Sequence, residues 1–418
     1  MQFKDLALHP VILKALTEKG YVTPTPIQQK AIPVALQSKD ILGCAQTGTG
    51  KTAAFSIPIL NALHTEQSEK GKGIRALILT PTRELALQIH ENLQAYAKYT
   101  QIRSTYVFGG VKQGKQVAQL RKKPQILVAT PGRLMDLINQ KIVRLDAITH
   151  FVLDEADRML DMGFIHDIKK LIKILPKKRQ SLFFSATLPD NIIALSKEIL
   201  FKPEILNTAP VSSTVKIIHQ KVYYTNRTSK RSLLTHIIKD RKIEQALVFT
   251  RTKYGADKLC RSLKRDGIQA LALHGNKSQP QRELALKKFK GKQIQLLVAT
   301  DIASRGIDID ALSHVINYDI PETPETYVHR IGRTGRAGKA GESISICEPE
   351  HNVFLKDIER LIKKKIEVIK DHPFPQTDKP MTAAEKKEWN KEKQKRKMEA
   401  INRKRNRNSK SPSKMGRR

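Results

Sequence analysis

The feature that most limits the fold of this chain is a short apolar segment that occurs twice. "QILVAT" lies at 125–130 and "QLLVAT" at 295–300. Similar runs, rich in Val, Ile and Leu, accompany each copy, and stretches of helical length and period separate them. These runs are "ALILT" (76–80), "FVLDEAD" (151–157), "SLFFSAT" (181–187), "ALVFT" (246–250), "LALHG" (271–275) and "HVINYD" (314–319). Strands that alternate with helices predict parallel sheets, and continuous apolar strands predict helices on both faces.

The repeat and the length together predict two similar α/β domains in tandem. At 418 residues the chain is too long for one ordinary core. We predict an N-terminal domain over 1–207, a linker over 208–218, a second domain over 219–368 and a disordered basic tail over 369–418. The stretch "NTAPVSSTVK", which is short, polar and β-branched, indicates the linker.

The charge of the chain indicates a polyanionic partner. There are 76 lysines and arginines against 40 aspartates and glutamates, a net charge of +36. Nucleic acid is therefore expected before an anionic membrane surface. From 376 to 418 alone, 16 lysines and arginines face 5 acidic residues, and few apolar residues are present to form a core.

The sequence contains no apparent membrane span, signal core or cysteine-pair motif. No apolar run approaches the roughly 18 residues of a membrane span, and the first residues have no apolar signal core. The three cysteines, Cys44, Cys260 and Cys347, are far apart and form no CxxC pair. We therefore expect no membrane association, no disulfide framework, no zinc site and a reducing, cytoplasmic location.

The stretch "AQTGTGKT" (45–52) is typical of a phosphate-binding loop. It follows a short apolar strand, "DILGC", and precedes a stretch of helical character. Glycines let backbone N–H groups surround the phosphates, Lys51 reaches their β and γ oxygens, and Thr52 offers a hydroxyl to Mg²⁺. Ala45 stands where the strict pattern has Gly, and the alternative is a flexible Gly/Thr turn. The other residues predicted to bind the nucleotide here are Ala45, Gln46, Thr47, Gly48, Thr49 and Gly50.

Two adjacent carboxylates end a later apolar strand. Asp154 is predicted to hold Mg²⁺, directly or through water, and Glu155 to orient or deprotonate the attacking water. An isolated acidic pair can also be a helix N-terminus that benefits from the helix dipole. The upstream phosphate loop favours the catalytic interpretation.

The full set of motifs resembles that of the DEAD-box ATP-dependent RNA helicases over about residues 1–365. "DEAD" (154–157) resembles the signature of that family, and its other motifs occur in the family's order. The set comprises "GYVTPTPIQ" (20–28), "PTRELA" (81–86), "GG" (109–110), "TPGR" (130–133), "SAT" (185–187), "VFTRT" (248–252), "QPQR" (279–282), "ATDIASRGID" (299–308) and "HRIGRTGRAG" (329–338). The N-terminal sequence and the simple basic tail are most similar to those of the bacterial RhlE-like branch.

The resemblance implies two RecA-like domains that bind ATP and Mg²⁺. A Gln amide both donates and accepts, so Gln28 can pair with N6 and N7 of adenine, and Phe3 can stack on the same base. In the family, Ser185 and Thr187 link the carboxylate cluster, including Asp157, to the RNA-bound state. Without the resemblance, these two hydroxyls would be interpreted as a plain turn.

The resemblance also explains why "HRIGRTGRAG" contains three arginines and no acidic residue. In the family this segment faces ATP from the second domain, which makes Arg333 and Arg336 candidate arginine fingers. His329 and Arg330 are expected to couple to the carboxylate cluster and to neighbouring motifs. The alternative is a basic loop on a solvated face. Gly306 and Asp308 are expected at the ribose and phosphates.

A second set of residues is expected to contact RNA at strand-end loops. Hydroxyls, guanidiniums and exposed backbone suit a sugar-phosphate chain, so we expect little base specificity and local opening of a duplex without tracking. The set comprises Thr82, Arg83, Gly110, Thr130 and Arg133 in the first domain, and Arg251, Gln279, Arg282, Thr300 and Asp301 in the second.

Two other functions stay open at this stage. One is an ATP-independent RNA chaperone or annealing factor that acts through the tail, and the other is a DNA helicase with the same pair of domains. The sequence does not identify the RNA. Ribosome assembly, mRNA decay and cold adaptation all remain open, with ribosomal or RNA-decay proteins as partners, and we expect a monomeric core.

Overall fold

The structure is a computed structural model with two parallel sheets of seven strands. It describes residues 1–45, 48–66, 73–207, 218–304, 312–335 and 341–380, together with Glu385 and Glu388. The predicted class, two tandem α/β domains with helix-covered parallel sheets, is confirmed. The predicted linker lies outside the described residues except for Ile218, which begins a strand.

The first sheet has the strand order β3-β4-β2-β5-β6-β1-β7, and every pairing within it is parallel. In this order β5, β6 and β1 are neighbours, so the loops at their carboxyl ends lie side by side, which is where open parallel sheets bind ligands. The strands are β1 Ile41–Cys44, β2 Ala76–Leu79, β3 Ser104–Val107, β4 Ile126–Ala129, β5 His150–Leu153, β6 Gln180–Ser185 and β7 Glu204–Asn207.

Helices cover both faces of the first sheet and enclose two hydrophobic clusters. The central strands β2, β4 and β5 are buried along their whole length, as their unbroken apolar sequences predict. The helices are α1 Pro10–Glu18, α2 Pro26–Leu36, α3 Lys51–Thr65, α4 Arg83–Tyr96, α5 Gln113–Leu120, α6 Pro131–Asn139, α7 Ala156–Asp161, α8 Ile165–Ile174 and α9 Asp190–Ile199.

The second sheet repeats the first, with the order β10-β11-β9-β12-β13-β8-β14 and parallel pairing throughout. If its strands are counted from β8, the order becomes the same as in the first domain. The strands are β8 Ile218–Tyr224, β9 Ala246–Phe249, β10 Ala270–Leu273, β11 Leu296–Ala299, β12 His314–Asn317, β13 Gly341–Cys347 and β14 Glu367–Val368.

Helices also pack on the second sheet, where the described residues form three hydrophobic clusters. The helices are α10 Lys230–Asp240, α11 Lys253–Arg265, α12 Gln279–Lys290, α13 Asp301–Ser304, α14 Pro324–Ile331 and α15 Asn352–Ile362. A short 3-10 turn, Pro349–His351, leads into α15.

The beginning of the predicted tail is packed on the second domain, which differs from our expectation. The carbonyl of Phe374 accepts a hydrogen bond from the Thr225 hydroxyl (2.7 Å), and the side chain of Asn226 bonds to Thr377 and Asp378. The Phe374 ring also lies edge-on to His236. Residues 369–380 therefore extend the second domain, and the predicted boundary at 369 is too early. The rest of the predicted tail lies outside the described residues, apart from two exposed glutamates.

Three further observations concern membrane spans, metal ligands and cysteines in the residues that the structure describes. No helix among the described residues is long and apolar enough to cross a membrane. The same residues contain no cluster of His, Cys, Asp and Glu side chains that could hold a metal ion. The three cysteines are free thiols, and Cys347 is fully buried as a small core side chain.

Candidate active site

The phosphate loop joins β1 to α3, as predicted. Gly48 and Gly50 have φ angles of 84° and 92°, a left-handed backbone that favours glycine. Lys51 is the first residue of α3, and its amine donates a hydrogen bond to the carbonyl of Ala45 (2.9 Å). The helix N-terminus, the amine and the Thr52 hydroxyl therefore lie at the same end of β1, an arrangement suited to phosphate. Gln46 and Thr47 lie outside the described residues.

Gln28 supports this loop from the neighbouring helix. Its amide nitrogen donates to the carbonyl of Gly50 (3.1 Å), and its amide oxygen accepts from the backbone of Thr25 (2.9 Å), which caps α2. The Thr25 hydroxyl donates to the carbonyl of Thr49 (2.7 Å). A Cβ at Gly50 would lie 2.4 Å from the Gln28 amide, so the loop and the glutamine are packed too closely for any other residue there. Each amide atom retains one unused hydrogen-bonding position for a base.

Phe3 does not have the environment that we expected. Only 3% of its surface is exposed, and its ring packs edge-on to Tyr21 with the ring centroids 5.6 Å apart. Its backbone N–H donates to the carbonyl of Val22, which joins the N-terminus to the loop before α2. In this structure Phe3 packs in the core beside Tyr21, and its stacking on a base stays a prediction.

Asp154 follows β5 and is fully buried. Its Oδ1 atom accepts no hydrogen bond from any residue that the structure describes. Burial raises the pKa of this carboxyl to about 7, and the neighbouring Glu155 adds to the effect while Lys51 opposes it. A buried carboxylate oxygen with no partner is costly unless a cation or a proton compensates it. The Asp154 carboxylate and the Thr52 hydroxyl offer oxygen atoms, the donors that Mg²⁺ prefers.

Glu155 has an unusual backbone and a charged partner. Its φ of 56° is left-handed, which is uncommon for a residue with a side chain and clusters at functional sites. Its Oε2 accepts from Nη1 of Arg158 at 2.7 Å, and both side chains are almost completely buried. Arg158 lies one turn later on α7, so the i,i+3 spacing brings it next to the carboxylate. Our sequence analysis did not include Arg158, although this spacing is visible in the sequence.

Asp157 connects the carboxylate segment to β6. Its Oδ2 accepts from the backbone N–H groups of Ala186 (3.2 Å) and Thr187 (3.1 Å) and from the Thr187 hydroxyl (3.2 Å). The Ser185 hydroxyl accepts from the backbone of Asp157. The three residues predicted to be coupled are therefore in direct contact, because β5 and β6 are neighbours in the sheet.

Arg330 of the second domain is buried. Arg330 forms a two-pronged pair with Asp301 (2.6 and 2.8 Å) and also donates to Asn317 Oδ1 and the carbonyl of Asp319. These partners all belong to its own domain. Arg330 thus contacts neighbouring motifs as predicted, but in this structure it does not contact the carboxylate cluster. Asp301, which we expected to face RNA, is instead held by Arg330.

The remaining residues predicted around the nucleotide are only partly described. Arg333 is 3% exposed and lies just after α14, where its carbonyl accepts from the backbone of Leu312. His329 lies in the last turn of α14. Gly306, Asp308 and Arg336 lie outside the described residues.

In the first domain, the predicted RNA residues gather after β2, β3 and β4, which are adjacent strands. Thr82 and Thr130 cap α4 and α6, and the Thr82 hydroxyl accepts from the backbone of Leu85. The Arg83 guanidinium lies against Gly110, where a Cβ would be 2.1 Å from Nη2. Arg133 donates to the carbonyl of Val111. The glycine and both guanidiniums therefore form one continuous surface.

In the second domain, the predicted RNA residues follow β9, β10 and β11, which are adjacent in the same way. Arg251 follows β9 and is exposed, and Thr300 and Asp301 follow β11. Gln279, at the start of α12, is buried and donates to Glu283 (3.0 Å). Gln279 thus has a helix partner of its own, whereas Arg251 presents its side chain to solvent.

One ion pair joins the two surfaces. Arg282 Nη2 of the second domain lies 2.8 Å from Glu84 Oε2 of the first, and both side chains are buried. Burial lowers the pKa of the nearby Arg83, and the charge of Arg282 lowers it further. Arg282 is therefore an interdomain contact as well as a predicted RNA residue. The sequence did not indicate this role, because the partners are far apart in the chain.

Two family models match the chain, one in each domain. "DEAD/DEAH box helicase" matches residues 25–195, and "Helicase conserved C-terminal domain" matches residues 229–338. The first match includes the phosphate loop and the carboxylates, and the second includes Arg251, Arg330 and Arg333.

Individual proteins are similar over most of the chain. The "ATP-dependent RNA helicase CshA" of Listeria monocytogenes is 42% identical over 366 residues, which is 88% of this chain and 70% of that protein. S. cerevisiae Dbp5 bound to RNA and ADP BeF3 has a TM-score of 0.79 at 32% identity, covering 88% of this chain and 95% of the other. A DEAD box protein from Methanococcus jannaschii has a TM-score of 0.52 at 40% identity, covering 88% and 99%.

These comparisons do not support the expected RhlE-like branch. Curated relatives at 41–43% identity are named CshA. The expectation depended on the N-terminal sequence and the basic tail. These two features are therefore not sufficient to identify a branch of the family.

Proposed function

Because this chain belongs to the DEAD-box family and is an ATP-dependent RNA helicase of two RecA-like domains, we propose that it couples ATP hydrolysis to closure of its domains on RNA. ATP binds at the phosphate loop of the first domain. The observation that carries this proposal is the Arg282–Glu84 ion pair, which joins the predicted RNA surfaces of the two domains (2.8 Å).

The residues for holding ATP and Mg²⁺ lie at the carboxyl ends of β1 and β5. Lys51 and the N-terminus of α3 bind the phosphates, and Gln28 reads the adenine while it supports the loop. Asp154 Oδ1, which accepts no hydrogen bond from the described residues, and the Thr52 hydroxyl would hold Mg²⁺. Mg²⁺ bound there neutralises charge on the phosphates. When the carboxylate meets a cation, the cost of its burial is compensated.

Glu155 acts on the attacking water. The ion pair with Arg158 directs its carboxylate, because a charge-assisted contact at 2.7 Å restricts the rotation of both side chains. Phosphoryl transfer depends mainly on positioning and electrostatics, with little covalent work for the protein. We therefore assign Glu155 chiefly to orienting the water.

Closure brings the second domain to the nucleotide. Arg333 and Arg336 serve as arginine fingers, and the cluster of Asp157, Ser185 and Thr187 couples the carboxylates to the loops that follow β6. Since RNA and ATP both favour the closed state, each must increase the binding of the other. The similarity to Dbp5 bound to RNA and ADP BeF3, with a TM-score of 0.79, supports this proposal.

RNA crosses both surfaces with its sugar-phosphate backbone towards the protein. Arg83, Gly110 and Arg133 form the first half of this track, and Arg251 belongs to the second half. Guanidiniums and backbone groups in such loops favour phosphates and 2′-hydroxyls over bases. A reducing cytoplasmic location, a monomeric core, and ribosomal or RNA-decay partners belong to the proposal as well.

The test compares ATP hydrolysis without nucleic acid, with single-stranded RNA and with DNA of the same sequence. We expect RNA to stimulate turnover strongly and DNA to have little effect, because 2′-hydroxyl contacts distinguish the two. Arg282→Ala should raise the RNA concentration needed, while the matched Arg360→Ala on the exposed face of α15 should not. Equal stimulation by DNA and RNA would contradict the proposal.

A further inference from the structure

The second domain contains a buried charged network behind Arg251. Lys230, at the start of α10, donates to Asp319 Oδ1 (2.7 Å) and lies 3.3 Å from Glu348 Oε1. Asp319 Oδ2 accepts from the backbone N–H of Arg251 (2.9 Å). Lys230 and Glu348 are buried, and Asp319 is half-buried. The network thus links three strand-end loops to the backbone of the exposed arginine.

His351 connects this network to the guanidinium of Arg251. Its Nε2 lies 2.7 Å from Nη2 of Arg251, and its Nδ1 lies 3.0 Å from Glu348 Oε1. A guanidinium can only donate, so Nε2 must be the acceptor and the ring must be neutral. The proton is then on Nδ1, facing Glu348, although the angle is too bent for a full hydrogen bond.

The neutral ring agrees with its electrostatic surroundings. Burial lowers the pKa of His351 to about 4; Glu348 raises it, and Arg251 and Lys230 lower it. For Asp319, burial raises the pKa, but Lys230 and Arg251 together lower it more, so this carboxylate stays charged. At neutral pH the charges around the ring are therefore two cations and two anions, with an uncharged imidazole between Arg251 and Glu348.

Only part of the Arg251 guanidinium is held by this network. Nη2 donates to His351 and also lies 3.4 Å from the carbonyl of Ile320. Nη1 faces Glu322, at 3.5 Å, and Glu322 is mostly exposed. An exposed ion pair of this length is weak, so a phosphate can replace Glu322 without disturbing the buried contacts.

We propose that His351 is a positioning residue for RNA: through Nε2 it holds the Arg251 guanidinium so that its Nη1 edge meets an RNA phosphate. Glu348 and Lys230 hold His351 in the required tautomer. This inference depends on the proposed contact between Arg251 and RNA, and it adds a specific orientation to that contact. A restrained arginine binds more tightly than a free one, because less side-chain entropy is lost on binding.

The test is a double-mutant cycle on affinity for single-stranded RNA, measured with an ATP analogue present. We expect His351→Ala to weaken RNA binding about fivefold, the scale of one net hydrogen bond. Turnover at saturating RNA should change less than about twofold, since no group near ATP is altered. In the Arg251→Ala background, the same substitution should have no effect. His351→Gln, which offers an amide oxygen as acceptor, should restore most of the affinity.

The matched control is His150→Ala in the first domain. His150 and His351 are both 7% exposed, and burial lowers the pKa of both to about 4. His150 lies at the amino end of β5, away from the RNA surface, so its loss should change stability without changing RNA affinity.

Each outcome decides a separate claim. If His351→Ala weakens RNA equally with and without Arg251, or if His150→Ala weakens RNA as much, the effect is structural and the positioning role is wrong. If Arg251→Ala weakens RNA but His351→Ala does not, the positioning role alone fails. If neither does, the contact of Arg251 with RNA also fails. A failure of RNA to stimulate the parent enzyme would instead overturn the helicase proposal. Nitrogen NMR of labelled histidines, assigned with His351→Gln, should show the Nδ1–H tautomer, and the Nε2–H tautomer would overturn the inference.

Discussion

The two domains have the same strand order, yet they use the corresponding position in opposite ways. In the first domain, Lys51 and Asp154 follow β1 and β5, and in the second, Lys230 and Asp319 follow β8 and β12, the equivalent strands. Lys230 is paired with Asp319 at 2.7 Å. Lys51 instead bonds to a loop carbonyl, and Asp154 Oδ1 accepts nothing from the described residues.

The loops after β1 and β8 differ in the same sense. The first contains glycines with positive φ, which expose backbone N–H groups to a ligand. The second, 225–229, contains no glycine, and its Thr225 and Asn226 bond to residues 374–378. A binding site on this fold therefore requires charged groups that the protein itself leaves unsatisfied. Where the protein pairs such groups with each other, as it does with Lys230 and Asp319, the same strand order instead supports the neighbouring surface that carries Arg251.

The largest expected difference is between the two lysines. Lys51→Ala should reduce ATP turnover about a hundredfold to a thousandfold, the usual effect of losing one preorganised donor to a charged group. Lys230→Ala should leave ATP affinity unchanged but lower the free energy of unfolding by roughly 3 kcal/mol, because it leaves two buried carboxylates uncompensated. Nucleotide titrations and urea unfolding of both variants measure this. Loss of ATP affinity in Lys230→Ala would remove the distinction between the domains.

A smaller effect is expected from the substitution of Arg158, the partner of Glu155. Arg158→Gln should lower RNA-stimulated turnover about tenfold with little change in ATP affinity. The reason is that a misdirected Glu155 carboxylate orients the attacking water poorly but does not affect the binding of ATP. Arg360→Gln is the control, since Arg360 has the same i,i+3 pairing, with Asp357, on an exposed face of the second domain. If the turnover of Arg158→Gln equals that of the parent, Glu155 needs no partner.

The smallest expected effect comes from deleting the basic tail. Because residues 374–378 bond to the second domain, the deletion should begin after them. Deleting 381–418 removes 15 lysines and arginines and 4 acidic residues, and it leaves in place Phe374, Thr377 and Asp378, which bond to the second domain. If half a dozen of these charges contact single-stranded RNA, the slope of log affinity against log salt should become shallower by roughly 4. Parallel salt dependences for the full-length and shortened chains would show that the tail does not bind RNA. Deleting 369–418 should also destabilise the second domain.

The sequence predicted the central strands and the local motifs, because each is a continuous segment. The buried runs of β2, β4, β9 and β11 are unbroken apolar stretches, and the phosphate loop is a single turn. It did not predict β8 or β13, where His, Gln, Lys, Glu and Ser interrupt the apolar pattern. The contact between Arg282 and Glu84 was missed because it joins distant segments. The burial of Phe3 was also not predicted, because it depends on tertiary packing.

The central claim is that Asp154 is left unsatisfied for a ligand whereas Asp319 is satisfied by the protein. Burial raises the pKa of Asp154 above its unfolded value, so the stability that protonation provides is present below that value and is lost as pH rises through about 7. For Asp319, burial raises the pKa, but Lys230 and Arg251 together lower it more. Its charge therefore stabilises the fold above its unfolded pKa, and that stability is lost only as pH falls through the depressed value.

The direct test is native-state hydrogen exchange of β5 and β12 at pH 8, without nucleotide or Mg²⁺, in Asp154→Asn and Asp319→Asn. Asp154→Asn should slow the exchange of β5, because it removes an uncompensated buried charge, with a gain of about 1 to 3 kcal/mol in the free energy of opening. Asp319→Asn should speed the exchange of β12, because Lys230 loses a partner. Changes of the same sign in both domains, or faster exchange of β5 in Asp154→Asn, would contradict the account.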